Sequence, residues 1–303
     1  MRHFLDLLDL TRDELHDLFE SSAKLKKQHA KHKTPMKLQG RVLGLVFEKP
    51  SLRTRVSFQA AIAQLGGASV FMAGNEVGLG SRESLPDIAR TVSQYVDAVV
   101  LRTFHHATVE VFAQHAACPV INGLSDHHHP CQALADLFTM QEIFGKLEGR
   151  TLVFVGDGNN VARSVAIACG KLGVRFVLAA PEGYHFDEPF VSAYRKVLPG
   201  AEMIQNGDPR HSVHEADVIY TDVWTSMGQE AEREQRLKRF ADFQVNADLL
   251  AVAPKHARIM HCLPAHRGEE VTSDVLDGDR SVVFQQAGNR MHAQKALLKW
   301  LLK

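Results

Sequence analysis

The segment Lys49-Pro50-Ser51-Leu52-Arg53-Thr54-Arg55 follows the apolar run Val42 to Phe47 and packs two arginines and two hydroxyls into its last five residues. At the start of a helix, free backbone N–H groups and the helix dipole favour an anion, and Ser51, Arg53 and Thr54 add donors suited to phosphate oxygens. The alternative is plain: Ser51 or Thr54 caps the helix and the arginines are solvated. Arg102 and His129 are further donors in polar stretches of their own, the second continuing through Pro130-Cys131-Gln132. In the second half, Gly156-Asp157-Gly158-Asn159-Asn160 has two glycines of a dinucleotide fingerprint but Val161 in place of the third, which favours a small ligand held by Asn159 or Asn160 over a nucleotide. Asp222 stands shortly before Ser226-Met227-Gly228 and can accept from an ammonium group. Cys262 lies between His261 and Leu263-Pro264, either an inert thiol or one facing a ligand. The triplet His127-His128-His129 invites a metal, but neighbouring side chains on an extended segment diverge, and no Cys or carboxylate completes a ligand set, so no metal is expected.

These residues need a frame. From about residue 41 short β-branched runs alternate with helical patterns, predicting strands at 42–47, 69–72, 97–101, 119–121, 151–155, 174–179, 217–220, 258–261 and 281–284. Helical spacing fills 54–65, 86–95, 130–144 and 159–172. Repeated βα units predict an α/β protein of two doubly wound domains, each a central parallel sheet flanked by helices. We place the first over 1–135, completed by the C-terminal helix 288–303, and the second over 136–287. Parallel sheets bind ligands beyond the carboxyl ends of their strands, where all the polar clusters fall, so one active site in an interdomain cleft is expected.

Composition narrows the classes. Lys+Arg and Asp+Glu both number 35, which removes the overall basic balance of a nucleic-acid or membrane binder. No uninterrupted apolar stretch suits a signal peptide or membrane helix, and the four cysteines are widely spaced without a CxxC, as in reduced cytoplasmic proteins.

The ordered motifs FEKPSLRTRVSF (47–58), LGSRES (79–84), HHPCQALADL (128–137), GDGNNVARS (156–164), DVWTSMG (222–228), HCLPAHRGEEVT (261–272) and NRMHAQKALL (289–298) closely resemble the ornithine transcarbamylases of the aspartate/ornithine carbamoyltransferase superfamily. The resemblance implies transfer of the carbamoyl group of carbamoyl phosphate to the δ-amine of ornithine, giving citrulline and phosphate, in arginine biosynthesis, without cofactor, in a cytoplasmic homotrimer. It assigns Ser51, Leu52, Arg53, Thr54, Arg102, His129, Gln132 and Arg290 to carbamoyl phosphate, and Asn160, Asp222, Ser226 and Met227 to ornithine. Cys262 and Leu263 would touch both, with Cys262, Arg102 and His129 closest to the chemistry. Two positions depart from the usual pattern, Leu52 for Thr and Gly78 for Gln. SLRTR also occurs in relatives acting on N-acetyl- or N-succinylornithine, so those acceptors, and a non-catalytic ligand-binding homologue, are the competing expectations.

Overall fold

The computed structural model describes residues 1–79, 82–225 and 229–303. Two of the expected ornithine ligands, Ser226 and Met227, therefore lie outside the described residues. The chain divides into two compact units: Met1–Phe138 with Asn289–Lys303, and Thr139–Gly288. Both boundaries fall inside helices, Pro130–Phe144 and Val283–Leu301.

Unit 1 is built on four parallel strands, β1 (Val42–Phe47), β2 (Ala68–Ala73), β3 (Ala98–Arg102) and β4 (Val120–Leu124), in the order β2-β1-β3-β4. The strands β1 and β3 are buried almost throughout, which explains their continuous apolar runs. Val46, Val99, Leu101, Val109, Phe112 and Val120 share one core cluster with Ile88 and Ala89. The register places Phe47 beside Arg102 and Arg102 beside Leu124, so the last residues of three strands lie at one level. An N-terminal helix, Arg12–Ala30, precedes the sheet, with Thr11 and Glu14 forming a capping box.

Unit 2 carries β5 (Thr151–Val155), β6 (Arg175–Ala179), β7 (Met203–Asn206), β8 (Val218–Thr221) and β9 (Arg258–His261), all parallel, in the order β7-β6-β5-β8-β9. Val155 pairs with Thr221 and Thr221 with His261, again aligning three carboxyl ends. Val153, Ile219, Trp224, Phe240 and Ile259 pack into its core.

Two predicted features change. The segment 281–284 is not a strand: Ser281 makes an isolated bridge to Ile259, and Val283 already begins the C-terminal helix. Its β-branched pair is satisfied by burying Val283 and by one ladder-like bond from Val282 to Ile259, 3.0 Å long. Conversely β7 was not predicted, because this edge strand is only partly buried and shows no apolar alternation. No helix among the described residues is long and apolar enough to cross a membrane.

Candidate active site

In unit 1 the strand β1 leads into helix Leu52–Gln64. Ser51 is its N-cap, extended at φ −159°, and its hydroxyl accepts from Thr54 N–H at 3.3 Å. The capping reading of KPSLRTR is thus correct for Ser51. Thr54 itself is fully buried, and its hydroxyl oxygen accepts from Arg290 Nη2 at 2.9 Å. That bond ties the first turn of this helix to the C-terminal helix across 236 positions of sequence. Leu52 is 74% exposed, so its side chain contributes little to this cluster.

Arg102 closes β3, and His129 immediately precedes helix Pro130–Phe144; both side chains are buried. His129 is held well below the ordinary imidazole range, first by burial and then by the positive charges of Arg290, Arg102 and Arg53. A neutral imidazole amid three guanidinium groups keeps one N–H to donate and adds no further charge to the cluster. Gln132, one turn into that helix, is buried and donates to Asp136 at 2.8 Å, while its own carbonyl oxygen has no hydrogen-bond partner. The expected unit 1 residues therefore end β3, lie in the segments that follow β1 and β4, or, for Arg290, lie on the C-terminal helix.

Lys49 is an addition. Burial pushes its ammonium below the usual lysine range, with Arg102 the next cause, and it lies 4.5 Å from the Phe104 ring centroid. Its place in KPSLRTR was the available signal. By contrast Cys131 is inert: burial pushes its thiol up to about 12.

In unit 2 the residues following the aligned ends of β5, β8 and β9 converge on Asp222. Its Oδ1 accepts from the Cys262 thiol at 2.9 Å and from Val223 N–H at 2.8 Å, and its Oδ2 accepts from Asn159 Nδ2 at 2.9 Å. The carbonyl oxygen of Asn159 also caps helix Asn160–Leu172, accepting from Val161 and Ala162 at 2.9 and 3.0 Å. One side chain thus fixes both the helix start and the carboxylate. Asn159 is a positioning residue, and Asn160 is the first residue of the helix behind it.

The half-fingerprint has its own explanation. A Cβ on Gly158 would sit 3.0 Å from the Tyr184 carbonyl oxygen and 3.1 Å from the Phe186 ring, so tight chain packing by itself favours the second glycine. Between them, Asp157 receives Arg236 Nη1 at 2.7 Å. Burial still holds its carboxyl above the usual range, with Arg236 opposing and Asp222 adding to the shift.

The Cys262-Leu263 segment is supported from behind. Leu263 has φ +58°, a conformation costly for a branched residue, and its N–H donates to His261 Nδ1 at 2.8 Å. A backbone N–H can only donate, so Nδ1 is unprotonated and Nε2 carries the hydrogen towards Glu270 Oε1 at 3.1 Å. Both His261 and Glu270 are buried. Sequence reading missed Glu270, although it stands in the HCLPAHRGEE motif. Asp222, His261 and Cys262 also offer ligand atoms within 4.8 Å of one another, but both nitrogens of His261 are already engaged.

The family described as "Aspartate/ornithine carbamoyltransferase, carbamoyl-P binding domain" matches residues 2–142, and its companion "Asp/Orn binding domain" matches 148–301. The chain is 47% identical over 303 residues to the ornithine carbamoyltransferase of Anoxybacillus flavithermus, covering 99% of this chain and 96% of that protein. It is 48% identical over 305 residues to that of Listeria monocytogenes, covering 100% and 96%. Among solved structures, ornithine carbamoyltransferase from Pyrococcus furiosus superposes with a TM-score of 0.96 at 48% identity, covering 99% of this chain and 97% of that one. The Thermus thermophilus enzyme gives 0.90 at 40% identity, covering 100% and 99%.

Proposed function

The chain belongs to the aspartate/ornithine carbamoyltransferase family, and on that premise we propose that it transfers the carbamoyl group of carbamoyl phosphate to the δ-amine of L-ornithine, releasing L-citrulline and phosphate for arginine biosynthesis. Unit 1 takes carbamoyl phosphate and unit 2 ornithine. The observation that carries the division of labour is the contrast in charge. Arg53, Arg102 and Arg290 surround a neutral His129 in unit 1, whereas unit 2 presents the oriented carboxylate of Asp222.

The phosphate is held by the backbone at the start of helix Leu52–Gln64, with the Ser51 and Thr54 hydroxyls and the forks of Arg53 and Arg290. Arg102, His129 and Gln132 address the carbamoyl oxygen. As the amine attacks, that oxygen becomes an oxyanion, and donors already in place stabilise it more than the planar ground state. Keeping His129 neutral lets it donate without needing to lose a proton. Asp222 binds the α-ammonium, with Asn160, Ser226 and Met227 completing the ornithine contacts. Cys262 and Leu263 position the δ-amine, and the departing phosphate accepts its proton. No covalent enzyme intermediate is needed.

We further propose a homotrimer in the cytoplasm. Leu52 and Val56 on one helix and Val70 on the edge strand β2 are 74%, 53% and 48% exposed, apolar side chains of the kind a subunit contact covers. Four free cysteines suit a reducing compartment. The deciding assay offers ornithine, N-acetylornithine, N-succinylornithine and aspartate in parallel with carbamoyl phosphate. Citrulline formation with ornithine far ahead of the others is expected; preference for an acylated amine would overturn the Asp222 assignment, and no turnover would overturn the activity. Light scattering on the eluted enzyme reports the trimer.

A further inference from the structure

The turn after the Cys262-Leu263 segment holds a second cluster of ligand-type atoms. His266, Glu269 and Glu270 each offer one donor atom, all within 4.8 Å of one another. The turn that carries them is well fixed: Glu269 N–H donates to His266 O at 2.9 Å, Gly268 N–H to Val271 O at 2.9 Å, and Gln244 Nε2 to the carbonyls of Gly268 and Glu269 at 3.0 and 2.9 Å.

Two features point to a cation. The first is a separation. His266 Nδ1 and Glu269 Oε2 are 3.5 Å apart, longer than an ordinary N–H···O bond of about 2.7–3.2 Å. It is close to the distance of about 3.4 Å between two ligand atoms that each lie near 2.1 Å from a tetrahedral zinc ion. The second is a pair of unsatisfied acceptors. Glu269 Oε2 and Glu270 Oε2 are both buried without a hydrogen-bond partner, and Glu270 is wholly inaccessible. Glu270 Oε1 is already used, accepting from His261 Nε2 at 3.1 Å and from His266 N–H at 2.6 Å. Arg233 pairs with Glu269 through Oε1 and so balances one of the two carboxylates. Arg267, the other nearby cation in sequence, is held by Asp277.

We infer that His266, Glu269 and Glu270 form a binding site for one divalent transition-metal ion of the zinc class. A nitrogen and two carboxylate oxygens without sulfur suit zinc or cobalt, with water in the fourth position. The ion would sit on one oxygen of Glu270 while His261 holds the other, so it would be coupled through His261 to Leu263 without entering the transfer reaction.

The test uses the full-length enzyme stripped with a chelator and titrated calorimetrically with zinc, then with cobalt for its absorption spectrum. One ion per chain is expected, with cobalt bands lacking thiolate charge transfer and unchanged stoichiometry in Cys262→Ser. Glu269→Gln and His266→Ala should each weaken zinc binding at least tenfold. A thiolate band, or loss of binding in Cys262→Ser, would place the ion with Asp222 and Cys262 instead and overturn the assignment. So would affinity unchanged in both turn variants, or no uptake in excess zinc.

Discussion

Arg236 gives the sharpest test of how unit 2 holds its polar site. Its Nη1 meets Asp157 Oδ2 at 2.7 Å and the Trp224 carbonyl at 3.0 Å, its Nε meets Glu232 at 2.9 Å, and its guanidinium lies 5.0 Å from the Tyr184 ring centroid. Replacing it by methionine keeps most of the stem and removes the charge. The Glu232 pair is half exposed and contributes little, about 0–1 kcal/mol. The orphaned Trp224 carbonyl costs about 1–3 kcal/mol. Asp157, only 15% exposed at its side chain, loses its counter-charge, and stripping one partner from a buried pair typically costs about 3–5 kcal/mol in all. We expect Arg236→Met to destabilise unit 2 by that total, and Asp157→Asn in the same chain to restore about 2 kcal/mol, since the stranded charge is then gone. The pH dependence has a definite sign. The folded-state pKa of Asp157 is raised above the unfolded value, so its proton favours folding: stability falls as pH rises through the interval between the two values. Without Arg236 that interval widens upward, so the deficit of Arg236→Met relative to the unaltered chain should shrink as pH is lowered from neutrality. Urea unfolding followed by Trp224 fluorescence, in a Trp300→Phe background that silences unit 1, measures this directly. A loss below about 1 kcal/mol, or a double variant no more stable than Arg236→Met, would refute the account.

Three further outcomes follow from the site. Asp222→Asn should lower kcat/KM for ornithine by about 2–4 kcal/mol of transition-state binding, because a charge-assisted contact becomes a neutral one; steady-state kinetics that change less than tenfold would remove Asp222 from substrate binding. Arg53→Lys should lower kcat/KM for carbamoyl phosphate by roughly a hundredfold, whereas Leu52→Thr, at an exposed side chain whose N–H is unaffected, should change it less than about tenfold. The depressed pKa of His129 means that its unfolded form takes up a proton first, so its share of stability is present above the unfolded value near 6.5 and lost as pH falls below it. His129→Gln should therefore reduce the acid sensitivity of unit 1 melting between pH 7.5 and 5, and equal slopes in both chains would contradict a buried neutral imidazole.

What the sequence made legible follows a physical divide between local and distant determinants. Strand runs buried on both faces, such as Val42–Phe47 and Thr151–Val155, announce themselves by continuous apolar composition, and polar clusters directly after them mark the binding ends of parallel sheets. Ser51 is legible as a cap for the same reason, since a cap acts within three residues, whereas Asn159, expected as a ligand contact, is found capping its helix. The strand β7 escaped because an edge strand with half its surface in water needs no apolar alternation, and 281–284 misled because Val282 and Val283 satisfy burial and one ladder-like bond without a strand.

The residues that orient the site are illegible on different grounds. Arg236 reaches Asp157 across 79 positions without any local signal, because an arginine in a helix looks the same whether it is solvated or buried against a carboxylate, and Arg290, which reaches Thr54 across 236, was visible only through the family resemblance of its motif. Glu270 is the instructive case. In sequence it is one of two adjacent acids in a polar turn, for which a solvated surface is the ordinary expectation. In the fold it is buried, receives the Nε2–H of His261, and thereby fixes the tautomer that lets Nδ1 accept from the Leu263 N–H. A strained backbone such as that of Leu263 persists only when its surroundings over-determine it, and here two hydrogen bonds in series do so. Groups that touch small polar ligands can be guessed from their own chemistry, because that chemistry must match the ligand. Groups that hold them need only match each other, and that matching exists only once the chain has folded.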